Sequence, residues 1–217
     1  MRTLRILTLV LLAAGCLFET LVGTQAHAGI FNTVHFVDPG KVAIGIEPEL
    51  TLSDGAGLGF NGKFTEGVSD LLNIAEIVGT GGGPRQFRVG FDADFDFFPD
   101  VDRQPGIGLL MRTIYYRIPD SLIGIMDGEN TGRLELTAVP YLHKAFANGS
   151  GDAKETVDPF IAVPFGLAFT SGHYQGTSQL VIGTMFQNNE KLAYSMELGI
   201  NMNNTETYFS GGITVYP

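Results

Sequence analysis

Apolar and polar residues alternate with a period of two along much of this chain. The clearest stretch is 86–98. Phe87, Val89, Phe91, Ala93, Phe95 and Phe97 share one parity there, and Gln86, Arg88, Gly90, Asp92, Asp94 and Asp96 share the other. A strand sends the two sets to opposite faces, whereas a helix would scatter the charges around its circumference. The alternation recurs in 42–52, 160–170, 191–203 and from Tyr208 to the end. It is weaker in 57–67, 107–118, 132–146 and 177–187.

Turn-forming clusters separate these runs, among them Ser53-Asp54-Gly55, Gly81-Gly82-Gly83-Pro84, Pro99-Asp100, Asn148-Gly149, Asn188-Asn189 and Asn203-Asn204. Successive strands are therefore expected to form hairpins in an up-and-down meander. Residues 69–80 admit two readings. Ser69-Asp70 caps a short helix ending at Gly79, or a tight turn at Val68-Ser69-Asp70 leads into a strand over 71–80. The strand is preferred, because it brings the count to ten and an even number closes a single-chain barrel. Otherwise eight strands and a helix are expected. With ten strands and a periplasmic N-terminus, the loop 119–131 faces outside and 148–157 is a long periplasmic turn. The expected fold is thus all-β, an antiparallel up-and-down transmembrane barrel of eight to ten strands.

The same alternation also fits a soluble, lipocalin-like barrel with an apolar interior. The composition of the polar faces separates the two. They are mostly Gly, Ala, Ser, Thr and Asn with almost no Lys, which suits a crowded lumen better than a solvated exterior. No segment after the first residues approaches 18 uninterrupted apolar positions, so no helical span is expected.

The N-terminus has a different pattern. Arg2 and Arg5 precede an apolar run, Ile6 to Gly15, and Ala26-His27-Ala28 is a small-x-small site before Gly29. That is the layout of a secretory signal peptide. The expected organisation is signal peptide 1–28, a short lead 29–40 and a barrel 41–217. Ala13-Ala14-Gly15-Cys16 offers an alternative, lipoprotein processing before Cys16, the chain's single cysteine. Cleavage after Ala28 removes that cysteine and with it any disulfide or thiolate chemistry. Without Arg2, Arg5 and Glu19, 11 Lys and Arg stand against 22 Asp and Glu. An acidic chain of this kind is not expected to bind nucleic acid or an anionic membrane surface.

The C-terminal run Ser210-Gly211-Gly212-Ile213-Thr214-Val215-Tyr216-Pro217, the Gly-Val-Ser-Asp turn at 67–70 and the strands between resemble the bacterial outer-membrane β-barrel superfamily, with its OmpA-type and OmpW-type small barrels. The resemblance covers roughly 41–217. It departs from the pattern at the last residues, where Tyr216-Pro217 stands in place of a final Phe or Trp. It implies an outer-membrane location, lipid contacts and recognition by the barrel assembly machinery. It implies no particular activity.

Candidate chemistry lies on the polar face. Glu47, Glu49, Lys63, Arg88, Asp92, Asp94, Asp96, Arg112, Glu135 and Glu197 are expected to point inward, with Asp92 about opposite Arg112 and Glu47 about opposite Lys63. Two readings stay open. The charges pair and plug a narrow barrel, since an unpaired buried charge is very costly. Alternatively, their acidic excess lines a narrow cation-preferring pore. Asp92, Asp94 and Asp96 stack along one face and do not converge as calcium ligands must, and Asp127-Gly128-Glu129-Asn130 lacks the full spacing of a calcium loop. No metal or cofactor is expected. No Gly-x-Ser-x-Gly or His-Glu-x-x-His motif occurs, His173 lacks a hydrolase context, and His143 is expected at the membrane interface, so no catalytic residues are assigned. Phe97, Phe98, Tyr115, Tyr116 and Tyr216 are expected in interfacial girdles. The leading functional expectation is a narrow passive channel for ions or small solutes. The alternative is a closed barrel acting through its outer loops.

Overall fold

A computed structural model describes residues 36–53, 56–82, 87–101, 103–119, 130–148, 155–170 and 173–217. The signal-peptide and lipoprotein readings, and most of the loops 119–131 and 148–157, lie outside the described residues. Twelve strand segments follow one another: β1 (Val42–Thr51), β2 (Gly57–Ser69), β3 (Leu72–Gly81), β4 (Phe87–Phe98), β5 (Gly106–Pro119), β6 (Asn130–His143), β7 (Phe146–Asn148), β8 (Glu155–Ala162), β9 (Phe165–Thr170), β10 (His173–Asn189), β11 (Leu192–Asn203) and β12 (Tyr208–Val215).

They make ten barrel strands. β8 and β9 are two halves of one strand, since both pair with β6 and both pair with β10 in unbroken register. The break falls at Val163-Pro164, where proline has no N–H to give the ladder. Even so, Val163 N donates to Pro140 O and Gln179 N donates to Pro164 O, which carries the pairing across the gap. β7 likewise continues β6 past Lys144, whose N donates to Pro159 O. Every other neighbour is a hairpin partner, and β12 pairs with β1 to close the barrel. The ambiguous segment is a strand and not a helix: Asp70 and Leu71 make the turn, and β3 runs from Leu72 to Gly81.

Alternation sets the two faces. In β1 the exposed positions are Ile44, Ile46, Pro48 and Leu50, and the buried ones are Ala43, Gly45, Glu47, Glu49 and Thr51. β4 exposes Phe87, Val89 and Phe91 and buries Arg88, Asp92 and Asp94. The outside is thus a belt of Phe, Leu, Ile, Val and Met, and the inside holds most of the charge. This inverts the soluble barrel and matches a barrel standing in hydrocarbon.

The N-terminal lead is tied to the barrel. Gly40 N donates to Gly67 O, and Gly67 N donates to Lys41 O. Gly40 has φ of 77°, a left-handed backbone in which a side chain would be strained. A Cβ at Gly67 would lie 2.2 Å from Val37 O and 2.3 Å from Asp38 O, so the lead packs against bare backbone.

Candidate functional site

The interior has two unlike halves. The wall from β5 round to β12 carries an apolar cluster, with Leu110, Val139, Phe160, Val181 and Met185 packed among Tyr141 and Tyr208. The wall from β1 to β5 carries Glu47, Glu49, Lys63, Arg88, Asp92, Asp94 and Arg112, and Arg133, Glu135, Asp158 and Glu197 stand among the apolar side chains of the other wall. A barrel of eight strands is filled by its own side chains, and ten strands give only a little more room.

Asp92 and Arg112 sit directly opposite on β4 and β5. The pair is bidentate: Arg112 Nε donates to Asp92 Oδ1 at 2.8 Å and Nη2 to Oδ2 at 2.7 Å. Lys63 approaches the same carboxylate at 3.2 Å. Lys63 is opposite Gly45, not Glu47; the ladder places Asn61 across from Glu47. Asn61 Nδ2 instead lies 3.5 Å from a carboxylate oxygen of both Glu47 and Glu49. Arg88 Nη1 donates to Glu49 at 3.3 Å. Its side chain reaches β1 by crossing Gly79 and Gly59, where a Cβ would stand 2.7 Å from it in each case.

Nearer the β11–β12 connection, Arg133 Nε donates to Glu135 at 2.9 Å, and the Tyr116 hydroxyl donates to the same oxygen. Arg133 also lies over the Tyr116 ring, 5.8 Å from its centroid. Glu206, from the connection itself, turns inward: its backbone oxygen accepts from Gln179 Nε2 at 2.6 Å. In the middle, Tyr208 Oη donates to Glu197 at 2.9 Å. At the opposite mouth, Tyr141 Oη donates to Asp94 at 2.9 Å, and His143 Nδ1 lies 3.0 Å from Asp158. Asp96 is half-buried beside this group.

All ten residues singled out from the sequence occupy the interior face. Nine are buried, and Asp96 is the half-buried exception. The structure joins Lys63, Asp92 and Arg112 into one triad and Arg88 to Glu49. Glu135 goes with Arg133, and Asp94 and Glu197 each with a tyrosine. Several of their partners lie outside the expected set. Arg133 shares the parity of Glu135 in a strand whose alternation is diluted by Gly132 and Ala138, so its phase was available. Tyr116 shares the parity of Arg112 and stands inside, not in the expected girdle: it is 2% exposed, and its hydroxyl serves Glu135. Tyr216 is likewise half-buried against the interior cluster. His143 is inside, not at an outer interface, because Asp158 on β8 holds its ring. Glu206 lies in a connection, where no strand phase exists to place it.

Not every buried polar atom is served by the protein. Both amide atoms of Asn73, Oδ2 of Asp94, Oδ1 of Asp96, and Nε and Nη2 of Arg88 have no hydrogen-bond partner. All four stand on β3 and β4; Thr177, Thr184, Ser210 and Tyr216, on β10 and beyond, also keep a buried side-chain oxygen without a partner. The pairs are therefore strong where they form, but they leave a column of unsatisfied donors and acceptors between them.

No family model matches the chain, and no curated protein matches it. Among solved structures it is similar to an outer membrane channel from Pseudomonas putida F1, at 9% sequence identity and a TM-score of 0.46, over 87% of this chain and 98% of that one. A likeness at that level leaves the functional reading to the chain's own geometry.

Proposed function

We propose that the protein is an outer-membrane barrel that passes small cations through its polar half by a narrow passive route, closed at rest by its ion pairs. The observation that carries this reading is the column of incompletely satisfied polar groups from Arg88 to Asp94. An apolar cluster that includes Leu110, Val139, Phe160, Val181 and Met185 packs beside it. A plug serving stability alone gains nothing from buried polar atoms left without partners, each of which costs about 1–3 kcal/mol. The acids inside outnumber the bases, which favours cations. Asp94, with one oxygen unpartnered and the mouth beside it, is the residue on which selectivity depends.

A second reading has its own support. Arg88, Asp92, Glu49 and Glu135 are each 1% exposed, so the interior as it stands is packed. On that reading the barrel is a closed scaffold. Conductance of the refolded mature protein in a planar bilayer separates the two. Discrete steps with cation preference, weakened by Asp94→Ala, support the passive route. Silence from a protein shown to be folded, with Asp94→Ala changing stability alone, supports the scaffold.

A further inference from the structure

The outer belt carries one acidic side chain in the middle of a strand. Among the described outward-facing strand residues the ionisable acids and bases are Glu66, Glu76, Arg117 and Glu155. Three of them stand at strand ends: Glu66 pairs with Val42 at the start of β1, Arg117 with Phe87 at the start of β4, and Glu155 opens β8. Glu76 is different. It is exposed in the middle of β3, flanked on its ladders by Phe64 and Phe91.

Glu76 also borders a groove of about 660 Å³ on the outside of the wall. Two adjacent rows of outward side chains form it. One runs from Ile46 through Gly62, Val78 and Val89 to Tyr115, each the ladder partner of the next. The other runs from Ile44 through Phe64, Glu76 and Phe91 to Thr113. Gly62 gives the first row its low point, and the taller Phe64 and Phe91 make the opposite bank. The first row runs on to Leu134, the ladder partner of Tyr115, so the groove crosses six strands and extends about 24 Å. Its volume is that of a small-molecule site, mostly apolar, with Glu76 as the one outward carboxyl and Thr113 and Tyr115 toward one end.

A carboxylate among apolar side chains in a bilayer is costly unless a proton neutralises it or a cation meets it. A second copy of the barrel, inserted in the same orientation, would not supply one. Its outward bases among the described strand residues come to Arg117, at the far end of β5. From the single carboxyl, the apolar banks and the elongated shape, we infer that this groove binds a long-chain amphiphile with an ammonium head. The occupant enters sideways from the bilayer, its ammonium group on Glu76 at β3 and its chain lying between the two rows toward Leu134 on β6. The site is separate from the interior column.

The test uses the refolded mature protein in phosphatidylcholine vesicles. The probes are nitroxide-labelled hexadecylamine and nitroxide-labelled hexadecanol, whose immobilised fractions are read by electron spin resonance. The wild type should immobilise the amine about tenfold more strongly than the alcohol, the worth of one charge-assisted contact. Glu76→Gln should remove that preference. Gly62→Leu fills the groove while leaving Glu76 in place, and should lower immobilisation of both probes. Folding of each variant is checked by heat-modifiable gel mobility. Equal immobilisation of the two probes by the wild type overturns the inference, as does a preference that survives Glu76→Gln. Should Glu76→Gln fail to fold, Gly62→Leu decides alone, and an unchanged amine signal rejects the site.

Discussion

Replacing Asp92 by Asn takes away a carboxylate that Arg112 and Lys63 share. Arg112 grips it through two hydrogen bonds of 2.8 and 2.7 Å, and Lys63 stands at 3.2 Å. The three side chains are between 1% and 5% exposed. If the interior is packed as the structure shows, Asp92→Asn leaves two buried cations facing a neutral amide, and the loss should be about 3–5 kcal/mol. If the lumen were instead wet and open, water would screen the same pair and the loss would fall to about 1 kcal/mol or less. The molecule holds its own control. Lys41 and Asp38 form an ion pair at 2.5 Å with side chains 66% and 69% exposed. Asp38→Asn should cost about 0.5 kcal/mol or less. Urea unfolding in lipid vesicles, with the folded fraction read by heat-modifiable gel mobility, compares the two. Similar small losses for both variants would refute the packed interior and the closed resting state with it.

Two further expectations follow from contacts at the mouth near His143. A Cβ at Gly106 would stand 2.1 Å from His143 Nε2, and Asp158 fixes the other side of that ring. Gly106→Ala should therefore lower stability by about 1–3 kcal/mol in the same assay, and no loss would mean the ring is free to move aside. Asp100, between β4 and β5, is tied to Lys144 Nζ and accepts from Ala145 N at 2.6 Å. Its burial works to raise the carboxyl pKa, but these hydrogen bonds and the Lys144 charge outweigh it and hold the group below its ordinary value. A lowered folded pKa stabilises above the unfolded value and is lost as pH falls through the folded one. Asp100→Asn should thus be less stable than the wild type at neutral pH. The gap should close as pH drops through about 4 and below; a gap unchanged by acid would contradict the tie.

How much of this was legible in the sequence depended on phase. In β4 and β1 large apolar residues alternate with charges, so parity alone placed Arg88, Asp92, Glu47 and Glu49 inside. The facing of Asp92 and Arg112 followed from the position of the intervening turn. Lys63 went to Asp92 rather than Glu47 because register sets a residue's neighbours only along its own ladder, whereas a long side chain crosses the lumen to another strand. The same limit hid the Arg88–Glu49 pair, which crosses β2 and β3 over Gly59 and Gly79. The apolar cluster escaped for a different reason. Leu110, Val139, Phe160 and Val181 lie on strands with apolar residues on both faces, so the alternation gave no contrast there. Tyr116 and Tyr141 look like girdle aromatics by type, and only burial distinguishes a hydroxyl aimed at a carboxylate from one aimed at a headgroup. Glu76 reads as an ordinary polar residue until β3 is set between β2 and β4.

The account stands on a barrel that turns apolar side chains to lipid and seals its charges within. The chain contains no Trp, so a single introduced one reports on its own site. Phe91→Trp would stand on the outer belt and Tyr116→Trp in the interior. Both are refolded into vesicles containing bromine-labelled phosphatidylcholine, and fluorescence is recorded with and without aqueous iodide. A barrel with lipid outside and a sealed interior gives strong quenching by the brominated lipid at position 91, and at position 116 little quenching by either agent. Lipid quenching at 116 with none at 91 would show the faces exchanged, and strong iodide quenching at 116 would show an open, water-filled interior.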